Sequence, residues 1–211
     1  TVTVTDDENP TFTVPVNVTI CRNLDCTYNA NPAITGDVTD ELDNCAIGIE
    51  ATYSDDHSNL PSCDEAGYII RTWRLEDGAG NFTEHQQIIW VEPTVTITAP
   101  SDTLCTGEAT SIAVTSSNTT TIGIRYTWTV TDLNGSGDIT GYSDNLFGQL
   151  IGSEIIQTLI NTTDIALKIT YNITPWTIDN NGNNKCSGIG IAVDIWVEPT
   201  ARLTLVPPQD T

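Results

Sequence analysis

An all-β chain of two tandem antiparallel β-sandwich domains is the fold class this sequence predicts. Three observations predict it. Short runs alternate apolar and polar residues along most of the chain, and they are rich in Val, Ile, Thr, Tyr and Trp, which suit a pleated, half-buried surface. Turn dipeptides punctuate the runs: Asp77-Gly78, Gly80-Asn81, Asn134-Gly135 and Asn181-Gly182. The pentapeptide WVEPT occurs twice, with Trp90 and Trp196 106 residues apart, the size of one small β-domain rather than of a short solenoid repeat.

Taken in order, the first half carries alternating runs at 1–5 (TVTVT), 11–20 (TFTVPVNVTI), 48–54, 68–77 (YIIRTWRLED) and 83–91 (TEHQQIIWV). The second half continues at 94–98 (TVTIT), 110–116, 124–132 (IRYTWTVTD), 166–175 (ALKITYNITP) and 189–197. Strands of this length, with a turn every ten residues or so, indicate an Ig-like sandwich. Helix signals are nearly absent. Only 152–164 (GSEIIQTLINTTD) tolerates a helical turn, with Ile155, Leu159 and Thr162 on one face, and its alternation favours strand there too. Trp73 and Trp128 each sit mid-strand, where a large indole is most often the packing centre of a sandwich and less often a binding residue.

Each WVEPT ends an alternating run, and the proline stops the strand because Pro93 and Pro199 lack the N–H that a central strand needs. The boundaries follow: residues 1–93 form one domain, 94–199 a second, and 200–211 begin a further repeat. With no initiating Met and no signal peptide, the chain reads as a processed or excised piece of a longer tandem array. No stretch approaches the roughly 20 apolar residues of a spanning helix.

Charge narrows the partners. The chain has 28 acidic and 7 basic residues, a net of −21, with acids in excess in both halves. Such a field repels nucleic acid and anionic membranes and suits a surface protein whose acids are partly neutralised by divalent cations. Six cysteines divide four and two across the boundary, an even count in each half, as intradomain disulfides require. That usage points to an oxidising, extracellular compartment.

The motifs also carry a resemblance. TGDVTDELDNC (35–45), ATYSDD (51–56), IIRTWRLEDGAGN (69–81) and QQIIWV (86–91) resemble the HYR-like repeats of large bacterial surface proteins. The second half, with LCTGEATSIAV (104–114), YTWTV (126–130), ITYNITPWT (169–177), KCSG (185–188) and VDIWVEP (193–199), resembles the PKD-like domains found beside such repeats, although the Asp-Phe-Gly-Asp-Gly signature is missing. Ala79 stands where many HYR-like members have Cys. The resemblance therefore implies the pairs Cys45–Cys63 and Cys21–Cys26 in the first module and Cys105–Cys186 in the second. It also implies a stretch of a giant Bacteroidota-type, SprB-like adhesin: a cell-surface stalk used in adhesion and gliding motility and exported by type 9 secretion.

Several residues are candidate sites. Asp6, Asp7, Glu8 and Asn9 cluster at the start of the first module, and loops add Asp55, Asp56, Asp77 and Asn81. These are the hard oxygen donors that Ca²⁺ needs. The alternative is solvated turn acids, with Asp77 and Asn81 fixing a hairpin. Trp176, at a strand end beside a loop, is the candidate aromatic platform for a carbohydrate or protein ligand. Asp102-Thr103-Leu104 fits an O-glycosylation pattern at Thr103. His57 and His85 come with no nucleophile motif, so no enzymatic activity is expected. The expected function is a non-catalytic structural stalk, the rival being a binding module of a secreted multidomain protein. The chain requires no cofactor, calcium being the one candidate. Its partners are neighbouring β-modules, surface glycans or other adhesin copies.

Overall fold

The computed structural model describes residues 5–201. The expected run at 1–5 and the further repeat at 200–211 lie almost wholly outside them. The described chain is nearly all β and packs into two compact units. Unit 1 holds residues 5–94 with Asn118–Gly123 and Asp179–Cys186; unit 2 holds Val95–Ser117, Ile124–Ile178 and residues 187–201. The chain therefore passes between units after Thr94, Ser117, Gly123, Ile178 and Cys186. The two units are therefore not the contiguous stretches 1–93 and 94–199 expected from the sequence, because two loops of the second sequence half fold with unit 1.

Unit 1 contains β1 (Thr11–Thr13), β2 (Val18–Cys21), the short helix α1 (Pro32–Thr35), β3 (Thr39–Leu42), β4 (Thr52–Asp56), β5 (Gly67–Glu76) and β6 (Phe82–Glu92). Its main sheet runs β2-β6-β5-β4, and β1 pairs with β3 beside it. β5 and β6 form one unbroken antiparallel hairpin from Gly67↔Val91 to Glu76↔Phe82. β2 lies parallel to β6, from Val18↔Ile89 to Cys21↔Glu92, a pairing that the purely antiparallel expectation missed. Every second residue of β5 points inward: Ile69, Arg71, Trp73 and Leu75 are all buried. Ile69 joins Ile20, Ile89 and Val91 in one apolar cluster, while Trp73 and Leu75 join Phe12 and Val38 in another. Full burial of such side chains stabilises by about 1.5–3 kcal/mol each.

A polar layer separates the two clusters along the strand. Arg71 is 1% exposed and faces Gln87, fully buried, in the ladder. Its guanidinium binds both oxygens of Asp55 at 2.7 and 2.8 Å, Thr35 Oγ1 at 2.8 Å and the Ala30 carbonyl at 2.6 Å, and it lies over the Tyr53 ring. Gln87 donates to the Val16 and Thr35 carbonyls and accepts from Trp73 Nε1. α1 supplies part of this layer. Asn31 caps it by accepting from Ala33 N, Pro32 starts it, and Gly36, at φ 95°, ends it.

Unit 2 contains β7 (Asp102–Cys105), β8 (Ile112–Ala113), β9 (Ile124–Asp132), β10 (Ile139–Thr140), β11 (Asn145–Leu150), β12 (Glu154–Ile155), β13 (Ile160–Asn161), β14 (Leu167–Ile178) and β16 (Ile191–Glu198); most of β15 (Asn184–Ser187) belongs to unit 1. The main sheet is ordered β11-β9-β14-β16-β7, with β7 parallel to β16 and the other pairs antiparallel. Two small pairs, β10-β13 and β8-β12, complete the unit. One core cluster joins residues from Val95 to Val197, Trp128 among them. Buried tyrosines keep their hydroxyls satisfied: Tyr126 donates to Gln149 Oε1 and the Ser153 carbonyl, Tyr171 to Gln157 Oε1. Burial, with Glu154 nearby, pushes Tyr126 up to about 12. The 155–163 segment is neither helix nor one strand. It forms two short strands, and Asn161 turns inward to donate to the Ile165 and Val197 carbonyls. The run at 94–98 buries Val95 and Ile97 but forms only an isolated bridge, Thr98↔Thr115.

The doubled WVE marks the same place in both units. β6 and β16 are the closing strands, and each has a parallel neighbour that ends in cysteine, Cys21 opposite Glu92 and Cys105 opposite Glu198. In both, the next backbone N–H, of Arg22 or Thr106, donates to that glutamate's carbonyl at 3.0 Å. The turns that precede the closing strands match too. Asp77 N donates to Asn81 O at 3.0 Å and Asp179 N to Asn183 O at 2.9 Å. In each turn the aspartate side chain accepts further bonds from within the loop.

Candidate metal centre and disulfide frame

Three carboxylates from distant parts of unit 1 converge. Asp6 comes from the segment before β1, Asp43 from the loop after β3, and Asp77 from the β5–β6 turn; one oxygen from each lies within 4.8 Å of the others. Two oxygens on one Ca²⁺, bound at 2.3–2.6 Å, lie no more than about 5 Å apart, so the spacing is compatible with a shared cation. Asp77 is held in place by its turn. Its Oδ1 accepts the N–H groups of Ala79, Gly80 and Asn81, and its Oδ2 accepts from Asn81 Nδ2. Burial works to raise the Asp77 pKa, but the bonds from Asn81, Gly80 and Ala79 together outweigh it and hold the carboxyl below its ordinary value. Asn81 Nδ2 also donates to the Asp6 carbonyl, which ties the first segment to the turn.

Asp43 carries the informative atom. Its Oδ2 accepts from Cys45 N and Ala46 N, while its Oδ1 is shut off from solvent and has no hydrogen-bond partner. A solvent-excluded carboxylate oxygen without a donor is costly unless a cation satisfies it. The neighbouring Cys45 thiol is pushed up, by desolvation first and then by Asp6, which marks the negative potential of the cluster. An all-oxygen donor set fits a hard divalent cation of the calcium kind.

The expected calcium residues separate. Asp6 and Asp77 meet, and Asn81 stands between them. Asp7 is exposed and outside the cluster, while Glu8 accepts from Asn44 and shares a shallow depression with Asn9. Asp55 is corrected from ligand to ion-pair partner, since Arg71 occupies both its oxygens. Asp56 instead accepts from Ser58 N within its own turn. Asp43 was missed as a ligand because its Asp-Asn-Cys context served only as a marker of the fold.

The cysteine pairing is also corrected. The disulfides are Cys21–Cys186, with Cα atoms 5.7 Å apart, and Cys26–Cys63, at 5.5 Å. Cys45 and Cys105 are free thiols. The physical reason is long-range. Asp179–Cys186 packs in unit 1 and carries Cys186 to the end of β2, while backbone bonds from Asn23 N to the Thr27 carbonyl and from Cys26 N to the Asn23 carbonyl close the tight turn that a Cys21–Cys26 bridge would have closed.

Trp176 is half-buried within β14, opposite Arg125, and its indole N–H donates to Thr127 Oγ1. That placement makes it part of a sheet face rather than a platform on a loop. Thr103 is exposed on β7. His57 Nδ1 meets the Tyr28 hydroxyl at 2.9 Å, and His85 packs edge-on against Phe12.

No protein-family model matches this chain, and no curated protein matches it. Solved structures similar to it are tandem modules. They include human mucin-like protocadherin EC1-2 (10% identity, 90% of this chain and 98% of that one, TM-score 0.33). The titin I-band fragment I67-I69 is similar at 12% identity, over 92% of this chain and 66% of that one, TM-score 0.46. The human desmocollin-1 ectodomain is similar at 13% identity, over 93% of this chain and 42% of that one, TM-score 0.45.

Proposed function

We propose that this chain is a structural, non-catalytic stalk segment of a large secreted cell-surface adhesin, of the HYR-like and PKD-like kind used by Bacteroidota-type bacteria in adhesion and gliding and exported by type 9 secretion. One observation carries the mechanical part of the reading. The Cys21–Cys186 bond joins positions 165 residues apart, so tension applied to the chain ends bypasses nearly everything between them. The disulfides also favour an extracellular setting.

In this reading Asp6, Asp43 and Asp77 hold Ca²⁺, whose two positive charges offset two of the three carboxylate charges and tie the first segment to the β3 loop and the β5–β6 turn. The residues fit that ion through the orphaned Asp43 oxygen and the all-oxygen donor set. Extracellular modules bind calcium with Kd of about 10⁻⁴–10⁻³ M. Saturating calcium should therefore raise the melting temperature over that in EGTA, and Asp43→Asn should abolish the difference. Equal melting in calcium and EGTA would remove the metal from the proposal. The stalk itself is tested on intact cells. Antibody to this segment should label unpermeabilised cells, and internal deletion of residues 5–201 should shorten the surface fibre; an unchanged fibre would refute the assignment.

A further inference from the structure

A second feature of unit 1 is independent of the stalk reading: a cleft of about 560 Å³ between the β5–β6 hairpin and two loops. Its volume falls in the range of small-molecule sites, about 300–1,000 Å³. Tyr68 and Trp90, cross-strand partners on β5 and β6, meet edge to face with ring centroids 5.1 Å apart and form its aromatic wall. Leu60 and Pro61 extend the apolar surface, while Ser58, Asn59 and the Thr119–Thr121 run supply hydroxyl and amide groups. No lining residue is charged, in a chain of net charge −21.

The walls are fixed before any ligand arrives. Ala66 N donates to the Thr119 carbonyl at 2.7 Å, and Thr119 N donates to the Asp64 carbonyl at 3.1 Å. Thr121 N donates to the buried Glu92 carboxylate at 3.2 Å. Tyr68 N donates to the Asn59 carbonyl at 3.3 Å, and the Cys26–Cys63 bond anchors the chain beside Pro61. Gly67 is required here, because a Cβ would come within 2.5 Å of both the Asn59 carbonyl oxygen and Pro61 Cδ. The same strand that buries Ile69, Arg71 and Trp73 on one face thus presents Tyr68 to the cleft from the other.

We infer that this cleft binds a neutral saccharide. A pyranose ring offers apolar C–H faces to an aromatic wall and hydroxyls that both donate and accept, which matches hydroxyl and amide side chains. An acidic sugar would be repelled by the surrounding field, and a cationic ligand would find no carboxylate in the lining. A sugar also binds a preformed site without the cost of ordering a flexible partner.

The test uses the whole oxidised chain on an array of neutral, sialylated and sulfated glycans, followed by calorimetry with the best neutral disaccharide. Binding restricted to neutral glycans is expected. Tyr68→Ala should weaken it roughly tenfold, and Thr120→Lys, at a half-buried loop position in the lining where it places a long cationic side chain, should abolish it. Trp176→Ala should leave it unchanged. Circular dichroism and intact disulfides establish that each variant is folded, and a variant that fails this check is replaced by Asn59→Ala, which is expected to weaken binding too. Absence of neutral-glycan binding would overturn the inference, as would binding that survives both Tyr68→Ala and Thr120→Lys. Displacement by a proline-rich peptide, with no glycan bound, would replace it with a peptide site.

Discussion

The long disulfide makes a mechanical prediction that can be worked from the structure. Cys21–Cys186 spans 165 residues, and Cys26–Cys63 lies inside it. An extended chain covers about 3.3–3.6 Å per residue, so the bond hides about 550–590 Å of contour length from a force applied at the termini. The cysteine pairs that the sequence resemblance implies would hide far less, about 340–370 Å, because their loops are short and do not overlap. Pulling the oxidised chain in optical tweezers and then repeating the pull after reduction measures the difference directly. The expected gain on reduction is the larger figure, falling in Cys186→Ser to the about 120–130 Å of the Cys26–Cys63 loop, whose sequence separation is 37. A gain near the smaller figure, or none, would refute the pairing and with it the argument for a force-bearing segment. Solution measurements should agree. For unfolding of the whole chain, closure of a loop this long contributes about 5 kcal/mol by the chain-entropy estimate, so Cys186→Ser should lower the denaturant midpoint of the oxidised protein substantially.

Two further outcomes are expected. Arg71 is buried and ion-paired, so Asp55→Ala, which strands its guanidinium, should destabilise unit 1 by about 3–5 kcal/mol in urea unfolding, and Arg71→Met with Asp55→Ala should recover part of that loss; a double variant worse than the single would refute the account. Asp179 is held below its ordinary pKa by bonds from Asn183 and Asn181, so its contribution is fully present above about pH 3.9 and lost as pH falls through the depressed value. The melting difference between the wild type and Asp179→Asn should therefore be constant from pH 7 to 5 and close below pH 4, whereas a difference that grows on acidification would reverse the sign of the argument.

The long strands were legible because burial on one face imposes a period of two. β9 coincides with its alternating run, β5, β6, β14 and β16 overlap theirs and run one to three residues past an end, and Trp73 and Trp128 are buried as their mid-strand positions suggested. What alternation cannot give is phase where both faces are mixed. In Tyr68–Leu75, either set of alternate residues includes an arginine, and the structure turns Arg71 inward and leaves Arg74 in an exposed pair with Glu76 and Glu84. Helix α1 had a local signal, Asn31 before Pro32, but four residues lie below the length at which periodicity speaks. The metal cluster was half legible. Asp6 and Asp77 were named from local acidity, but only the fold brings Asp43 between them. The disulfides were the least legible, because an even count in each half is equally consistent with pairs that cross it.

The same crossing pair decides which strands would bear a load. With Cys21 bonded to Cys186, tension passes along β1 and β2, crosses the disulfide and leaves along β16. β2 is an edge strand with one neighbour, β6, whereas β16 is held on both sides by β14 and β7. Both are drawn lengthwise against their neighbours, so the ladder bonds of each strand are loaded together in shear rather than opened singly from one end. The β5–β6 hairpin and the long β9–β14 pairing lie behind the staple and need not separate for the chain to reach its full oxidised length, whereas Phe12 and Ile20 must leave the two hydrophobic clusters of unit 1. Resistance on the N-terminal side then depends on the β1–β3 and β2–β6 ladders, each loaded strand having a partner on one side only. β2 is also the strand whose last residue carries the cysteine, so the covalent bond takes over the load at the end of its ladder.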